Sequence, residues 1–319
     1  MAGAVKIGDN MVPAIDLQKL NSGDCAAVEA MRVAATHIGF AVVFNTDLSA
    51  DRVCEVIETY RAFFHLSAAE KARVDMAQTG ANRGWGASGS EQVNPNANPD
   101  YKQFFDSGTV LPEEDNRRSI GVYAPNHWPE KPARFQAVIS SYYQDACGVA
   151  MQVLRGLATA IGISSIYFDD AFNVPMALLR GNFYPPRPNW ATLRDFGIAT
   201  HTDYGCLTLL ATDGLPGLEV QQRGGGWLPV TAPPGEFIIN FGEMMEKWTN
   251  GTVVATPHRV VGGPNERISV PLFFNPSYDV NIAPLGSVEQ VLAGEHLSKR
   301  FNETYVHLQK EQHRLVSQT

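Results

Sequence analysis

Cysteine is scarce in this 319-residue chain, and the four present (Cys25, Cys54, Cys147 and Cys206) form no CxxC pair and no framework spacing. That excludes a disulfide scaffold, and scattered reduced thiols fit a cytoplasmic protein. No run reaches the eighteen or so apolar residues of a membrane span. The opening "MAGAVKIGDNMVPAID" lacks the apolar core of a signal peptide. Basic residues are in deficit, 25 Lys plus Arg against 33 Asp plus Glu, for a formal net charge of −8. Phosphate backbones want a basic face, so no nucleic-acid partner is expected, and no membrane partner either. Repeats, low-complexity tracts and convincing linkers are also absent. What is present is an ordinary globular composition, 44% apolar and 18% charged. It suits a monomer or homodimer that handles a small-molecule substrate.

The first half reads as mostly helical. Residues 24–37 have helical periodicity and meet Gly39, and "GFAVVF" at 39–44 reads as a strand. Ser49 can cap a helix running to about His65, and "SAAE" at 67–70 has the capping-box pattern. Residues 80–130, richer in Gly, Asn and Pro, read as loops with short strands. Phe135, Val138, Ile139, Tyr142, Val149, Val153, Leu157 and Ile161 form a stripe near period 3.6, predicting a helix that ends at Gly162.

After Pro175 the texture changes to short strands between turn signals. "MALLRGNFY", "GIATHTDY", "CLTLLAT", "GLEVQQ", "WLPVT", "EFIINF", "VVATPHRVV" and "RISVPLFF" make eight. Alternating faces in strands of this length predict a mainly β fold with flanking helices, a two-sheet jelly roll or barrel. The expected organisation is one domain over 1–319. Its parts are a mostly helical portion to about residue 170, a jelly-roll core over about 171–285 and a C-terminal helix within 286–319.

Within "IATHTDYGCLTLL", His201 and Asp203 share a face if the segment is a strand. An imidazole and a carboxylate aimed at one point inside an apolar run need a partner. His258, in "TPHRVV", supplies a third donor. Two histidines and one carboxylate are the ligand set of ferrous oxygenases, leaving metal positions open for a chelating cosubstrate and dioxygen. Arg267 and Ser269 again stand at i and i+2, so a guanidinium and a hydroxyl can converge on one carboxylate. Asn182 and Tyr184 share a face just before Pro185 and Pro186. Cys206 falls on the face opposite Asp203 and reads as core. His37, His65, His127, His296, His307 and His313 have no partner pattern and read as core or surface residues.

His201-Thr-Asp203, His258 and Arg267-x-Ser269, with "NFYPP", "VPAIDL", "GFAVVFN" and "FFHLSAAEKARV", resemble the isopenicillin N synthase-like family of iron(II)- and 2-oxoglutarate-dependent dioxygenases. The resemblance spans roughly residues 11 to 280 and implies a double-stranded β-helix (jelly-roll) core. It makes His201, Asp203 and His258 the iron ligands. Arg267 and Ser269, with Tyr184 and Asn182, become the contacts of 2-oxoglutarate. The implied reaction converts 2-oxoglutarate and dioxygen to succinate and carbon dioxide while a small substrate is hydroxylated, desaturated or cyclised. Where plant members usually read Asn-His-Gly, this chain has Asn45-Thr46-Asp47, which suggests a bacterial or fungal branch. The family's substrate pocket points to Arg83, with Trp85 and Glu91 in the same Gly-rich loop, and to Phe274 as a pocket wall. Tyr101 and Phe104 are weaker candidates. Two alternatives stand beside this reading: an oxidase of the same family that does not use 2-oxoglutarate, and a non-catalytic binding protein on the same fold.

Overall fold

The computed structural model describes residues 12–79, 82–192, 194–284 and 287–304. Twelve strands form among them: β1 (Ala14–Asp16), β2 (Phe40–Phe44), β3 (Gly84–Gly86), β4 (Gln103–Gly108), β5 (Leu178–Tyr184), β6 (Ile198–His201), β7 (Leu207–Thr212), β8 (Leu218–Gln221), β9 (Trp227–Pro229), β10 (Phe237–Phe241), β11 (His258–Val260) and β12 (Arg267–Phe274). The α-helices are α1 (Leu17–Asn21), α2 (Cys25–Val33), α3 (Ala50–Phe64), α4 (Ala68–Ala72), α5 (Met76–Thr79), α6 (Phe135–Ala160), α7 (Glu243–Trp248) and α8 (Ala293–Thr304). No helix among the described residues is long and apolar enough to cross a membrane.

One sheet has eight strands in the order β1-β2-β10-β7-β12-β5-β4-β3, and the other has four in the order β6-β11-β8-β9. Of these strands only β1 and β2 pair in parallel. Together the sheets make the jelly roll that the alternating strands predict. All eight strands expected after Pro175 form, but β6 stops at His201. The first half's sequence does not foretell where its strands pair. β1 to β4 come from that half and extend the same eight-stranded sheet, through pairings with β10 and β5 that lie far away in sequence.

Two apolar layers result. Phe40, Tyr184, Leu218, Val220, Ile238 and Val260 fill the space between the sheets. The larger core lies on the sheet's other side, under α3 and α6. The α6 stripe of Phe135, Val138, Ile139, Tyr142, Val149 and Val153 is buried there, each side chain contributing about 1.5–3 kcal/mol. β12 separates the layers by parity: Ile268, Val270, Leu272 and Phe274 enter the helical core, and the alternate residues face between the sheets.

Local signals hold the helix starts. Ser49 accepts from Arg52 N at 3.2 Å, and Ser67 and Glu70 form both halves of the capping box. Gly39, at φ 77°, ends the helical turn that extends α2. A Cβ there would lie 2.3 Å from Thr256 Oγ1, so the close approach of the loop before β11 requires glycine.

Candidate active site

β6 delivers His201 at its last residue, and Asp203 stands in the loop beyond it. That loop is tied to the turn into α7: Glu243 N donates to Asp203 O at 2.8 Å and Met244 N to Gly205 O at 3.1 Å. Gly242 permits the contact, since a Cβ would stand 2.3 Å from Gly205 O and 2.6 Å from Asp203 O. β11 lies antiparallel to β6 with His258 opposite His201. Both Nε2 atoms lie 3.6 Å from Asp203 Oδ1, and the three donor atoms fall within 4.8 Å of one another.

Each donor is held from behind. His201 Nδ1 meets Ala199 O at 2.8 Å and His258 Nδ1 meets Thr256 O at 3.1 Å. A carbonyl accepts only, so Nδ1 carries a proton in each ring and Nε2 turns to the centre. Asp203 Oδ2 accepts from Thr208 Oγ1 at 2.5 Å and from Asn240 Nδ2 at 2.6 Å, leaving Oδ1 to face the imidazoles. Burial pushes His258 down to about 4, helped by the neighbouring His201, so it is neutral at pH 7. Burial also opposes charge on Asp203, but the His201 hydrogen bond and the two imidazoles outweigh it and hold the carboxyl well below its usual range. Burial would lower His201 as well, but its hydrogen bond and charge contact with Asp203 outweigh that and raise it. An anionic oxygen and two imidazoles, converging and oriented, are a donor set suited to a divalent transition metal.

A cavity of about 50 Å³ opens beside the three donors, lined by Asn182, Tyr184, Arg267 and Ser269 among others. The β5–β12 register sets Arg267 opposite Tyr184 and Ser269 opposite Asn182, so the four residues singled out in the sequence meet here. Arg267 Nε donates to Leu215 O at 3.2 Å, and the guanidinium lies 5.2 Å from the centre of the Tyr184 ring. Its Nη1 is buried without a hydrogen-bond partner among the described residues. An unpaired charged donor in a closed site calls for an acceptor from a ligand.

A second cavity of about 110 Å³ also touches His201 and Asp203, and its wall includes Arg83, Glu91, Lys102, Arg180, Phe273 and Leu297. Arg83 is therefore in the wall, its guanidinium donating to Asn82 O at 2.7 Å and Val122 O at 2.6 Å. Phe274 is not. It stacks on Phe172 in the helical core, with centroids 4.8 Å apart, and Phe273 faces the cavities instead. The correction follows from strand parity: Arg267, Ser269 and Phe273 share one face and Phe274 the other. Trp85 donates to Gln103 Oε1 at 3.1 Å, Tyr101 packs edge-on against Trp190, and Phe104 lies beneath Arg180. Cys206 is core, and burial pushes its thiol far up. Among the histidines set aside, His37 and His65 are exposed and His127 is half-buried. His307 and His313 lie outside the described residues.

Other contributors had not been singled out in the sequence. Thr208, Asn240 and Arg180 look like ordinary strand polar residues until the sheets pair, and Lys102, just before β4, like a surface charge. Stepping by two from Asn182 along "LLRGNFY" would have found Arg180. The expected C-terminal helix starts later than its sequence pattern, at Ala293, and closes one side of the larger cavity with Leu297. It is fastened by His296 Nε2 to Tyr204 O at 3.0 Å and by Arg300 Nη2, which donates to Glu243 Oε1 at 2.7 Å. So His296, which shows no partner pattern in the sequence, has a backbone partner in the loop beside Asp203.

Residues 12–131 match the family described as non-haem dioxygenase in morphine synthesis N-terminal, and residues 175–276 match the 2OG-Fe(II) oxygenase superfamily. A 2-oxoglutarate-Fe(II) type oxidoreductase of Aspergillus fumigatus is 30% identical over 79% of this chain and 77% of its own. The homoarginine-6-hydroxylase 2-ODD-C23.1 of Arabidopsis thaliana is 29% identical over 89% of this chain and 90% of its own. Among solved structures, a full-length Neurospora crassa protein in complex with α-KG and thymine matches with a TM-score of 0.81 and 26% identity, covering 94% of this chain and 99% of that one.

Proposed function

This chain belongs to the 2OG-Fe(II) oxygenase superfamily, and from that premise we propose that His201, Asp203 and His258 hold its iron and that Arg267 and Ser269, with Tyr184 and Asn182, hold 2-oxoglutarate. The protein is an iron(II)- and 2-oxoglutarate-dependent dioxygenase, an oxidoreductase that acts on a small molecule. The observation that carries the cosubstrate assignment is the buried Arg267 Nη1, without a partner among the described residues, in a cavity opening onto the three donors.

Iron(II), when bound, supplies the chemistry that couples oxidative decarboxylation of 2-oxoglutarate by dioxygen to oxidation of the substrate. The residues supply placement. Ala199 O and Thr256 O fix the imidazole tautomers, and Thr208 and Asn240 fix the carboxylate. Arg267 receives the distal carboxylate as a fork, each charged hydrogen bond contributing roughly 1.5–3 kcal/mol. Leu210, Leu218 and Val260 keep the cosubstrate cavity dry. The substrate takes the larger cavity, on the far side of His201 and Asp203.

The direct test is to add Fe(II) and 2-oxoglutarate to the protein without oxygen and record the weak visible charge-transfer band of the chelate. The parent should show it and His258→Ala should not; a parent without the band would sink the assignment. Neither the oxidase that dispenses with 2-oxoglutarate nor the non-catalytic binding protein has an observation in its favour. The reading extends to a cytoplasmic monomer or homodimer without a nucleic-acid or membrane partner. The four free cysteines and the charge of −8 support it, and fractionation of cells with sizing of the purified protein tests it.

A further inference from the structure

The larger cavity has a charged wall built in layers. Arg83, Lys102, Arg180 and Glu91 line it, while Asp100 and Asp106 are almost fully buried and lie behind. Arg180 is gripped by Asp106 through two hydrogen bonds of 2.7 Å and reaches Glu91 at 2.9 Å. Lys102 pairs with Glu91. Three cations against three carboxylates balance, which makes burial of the cluster tolerable. The layering does not balance. Arg83, Lys102 and Arg180 face the cavity against Glu91, and the other carboxylate in its wall, Asp203, belongs to the three-donor cluster, so a bound molecule meets a positive surface around Lys102 in surroundings that screen little.

Lys102 adds an independent observation. Its side chain is 1% exposed, and an ammonium has three protons to place. Among the described residues only Glu91 lies within hydrogen-bond distance; Asp100 Oδ2 stands 3.7 Å off and the Phe104 ring centre 4.9 Å. A buried ammonium with one hydrogen bond still needs acceptors, and the open side is the cavity.

β5 gives the direction. Tyr184, Asn182 and Arg180 alternate on one face: Tyr184 lines the cosubstrate cavity, Asn182 both cavities and Arg180 the larger one. At about 3.3 Å per residue, Arg180 lies roughly 7 Å beyond Asn182, away from the cosubstrate. The rest of the wall is largely apolar, with Val93, Met176, Leu178, Phe273 and Leu297.

We propose that the substrate is a small carboxylate with an apolar body, its carboxylate received by Lys102 beside Arg180 and Arg83 and its body lying along Phe273 and Leu297 towards the iron ligands. The proposal rests on the dioxygenase reading. It adds the chemical class of the substrate and the residue that anchors it.

The test uses the full chain with Fe(II), 2-oxoglutarate and air, and reads the rate of succinate formation. The probes are hexanoate and phenylacetate, each beside its amide and the amine of matching carbon skeleton. An acid should accelerate succinate formation several-fold, and its amide and amine should not. Lys102→Met should raise the half-saturating concentration of that acid by about tenfold, what 1.4 kcal/mol gives, and Lys102→Arg should restore most of it. Both variants should keep the anaerobic chelate band, which reports an intact fold and cosubstrate site. Amides or amines that stimulate as well as the acids, no stimulation by either acid, or an unchanged half-saturation in a band-positive Lys102→Met would each overturn the proposal. Should Lys102→Met fail to fold, the acid-against-amide comparison on the parent decides alone. Failure of the dioxygenase reading is distinct: the parent itself would give neither the band nor succinate.

Discussion

Asn240 donates an amide proton to Asp203 Oδ2 at 2.6 Å, on the oxygen that the two imidazoles do not face. β10 carries Asn240 and the loop after β6 carries Asp203, so the contact joins the two sheets at the proposed metal site. With Thr208 on the same oxygen, it fixes the plane of the carboxylate. Asn240→Ala should weaken Fe(II) binding about 10- to 100-fold, the usual effect of removing a ligand's hydrogen-bond partner. Anaerobic titration with Fe(II) or Co(II) measures this. Parental affinity in the variant would mean that Thr208 alone orients Asp203.

Glu91 makes a prediction about pH. Burial alone would raise its carboxyl, but the charges of Arg180 and Lys102 overrule it and hold it at about 2. A carboxyl depressed in the folded state stabilises the fold above its unfolded value near 4.3, and that contribution fades as pH falls towards 2. Glu91→Gln leaves two buried cations short of a counter-charge and should cost about 3 kcal/mol at pH 7. Urea unfolding of both proteins between pH 7 and pH 3 checks the sign. The deficit should be largest at neutral pH and shrink in acid; a deficit that grows in acid would refute the cause given.

β12 shows which features were legible in the sequence and which were not. Its alternation is a local property, as are the caps at Ser49 and Ser67, and such elements form close to where the pattern predicts them. His201, Asp203 and His258 stand out because apolar strands rarely carry imidazoles and carboxylates without a partner. The joining of β1 to β4 to the main sheet depends on distant pairings that no local pattern encodes. Asn240 and Thr208 look like ordinary strand residues until β10 and β7 are set beside Asp203. The cluster of Glu91, Lys102 and Arg180 draws on a loop, the segment before β4 and β5, and each residue alone reads as surface charge.

Phe273 and Phe274 turn the parity of β12 into an experiment. Phe274 is 3% exposed and stacks on Phe172, so Phe274→Ala should cost about 3–5 kcal/mol of stability. Phe273 is only half-buried and lines both cavities. Phe273→Ala should cost about 1–2 kcal/mol, less because cavity space already adjoins the ring, and should alter which small molecules stimulate succinate formation. Thermal melts of the two variants compare them directly. Equal losses of stability would mean that the two rings do not face different layers.

Arg267 is held on one edge only. Its Nε donates to Leu215 O and its guanidinium lies over the Tyr184 ring, and Nη1, buried beside the cavity, has no partner among the described residues. Ser269 Oγ stands 3.5 Å from Tyr184 Oη and 3.4 Å from Asn182 Nδ2, contacts loose enough for a ligand to replace. A carboxylate there would take a charged hydrogen bond from Arg267 and a neutral one from Ser269 or Tyr184. Losing the charged one alone costs roughly 1.5–3 kcal/mol, so Arg267→Ala should raise the half-saturating concentration of 2-oxoglutarate by about tenfold or more. Arg267→Lys should recover only part, since an ammonium keeps the charge without the fork. Fe(II) affinity should hold in both variants, because none of the three metal donors touches Arg267. The decisive comparison varies 2-oxoglutarate and a stimulating substrate in turn. Weakened affinity for 2-oxoglutarate alone assigns the carboxylate at Arg267 to the cosubstrate. Weakened affinity for the substrate, with 2-oxoglutarate unaffected, would assign it to the substrate and displace the cosubstrate from this cavity.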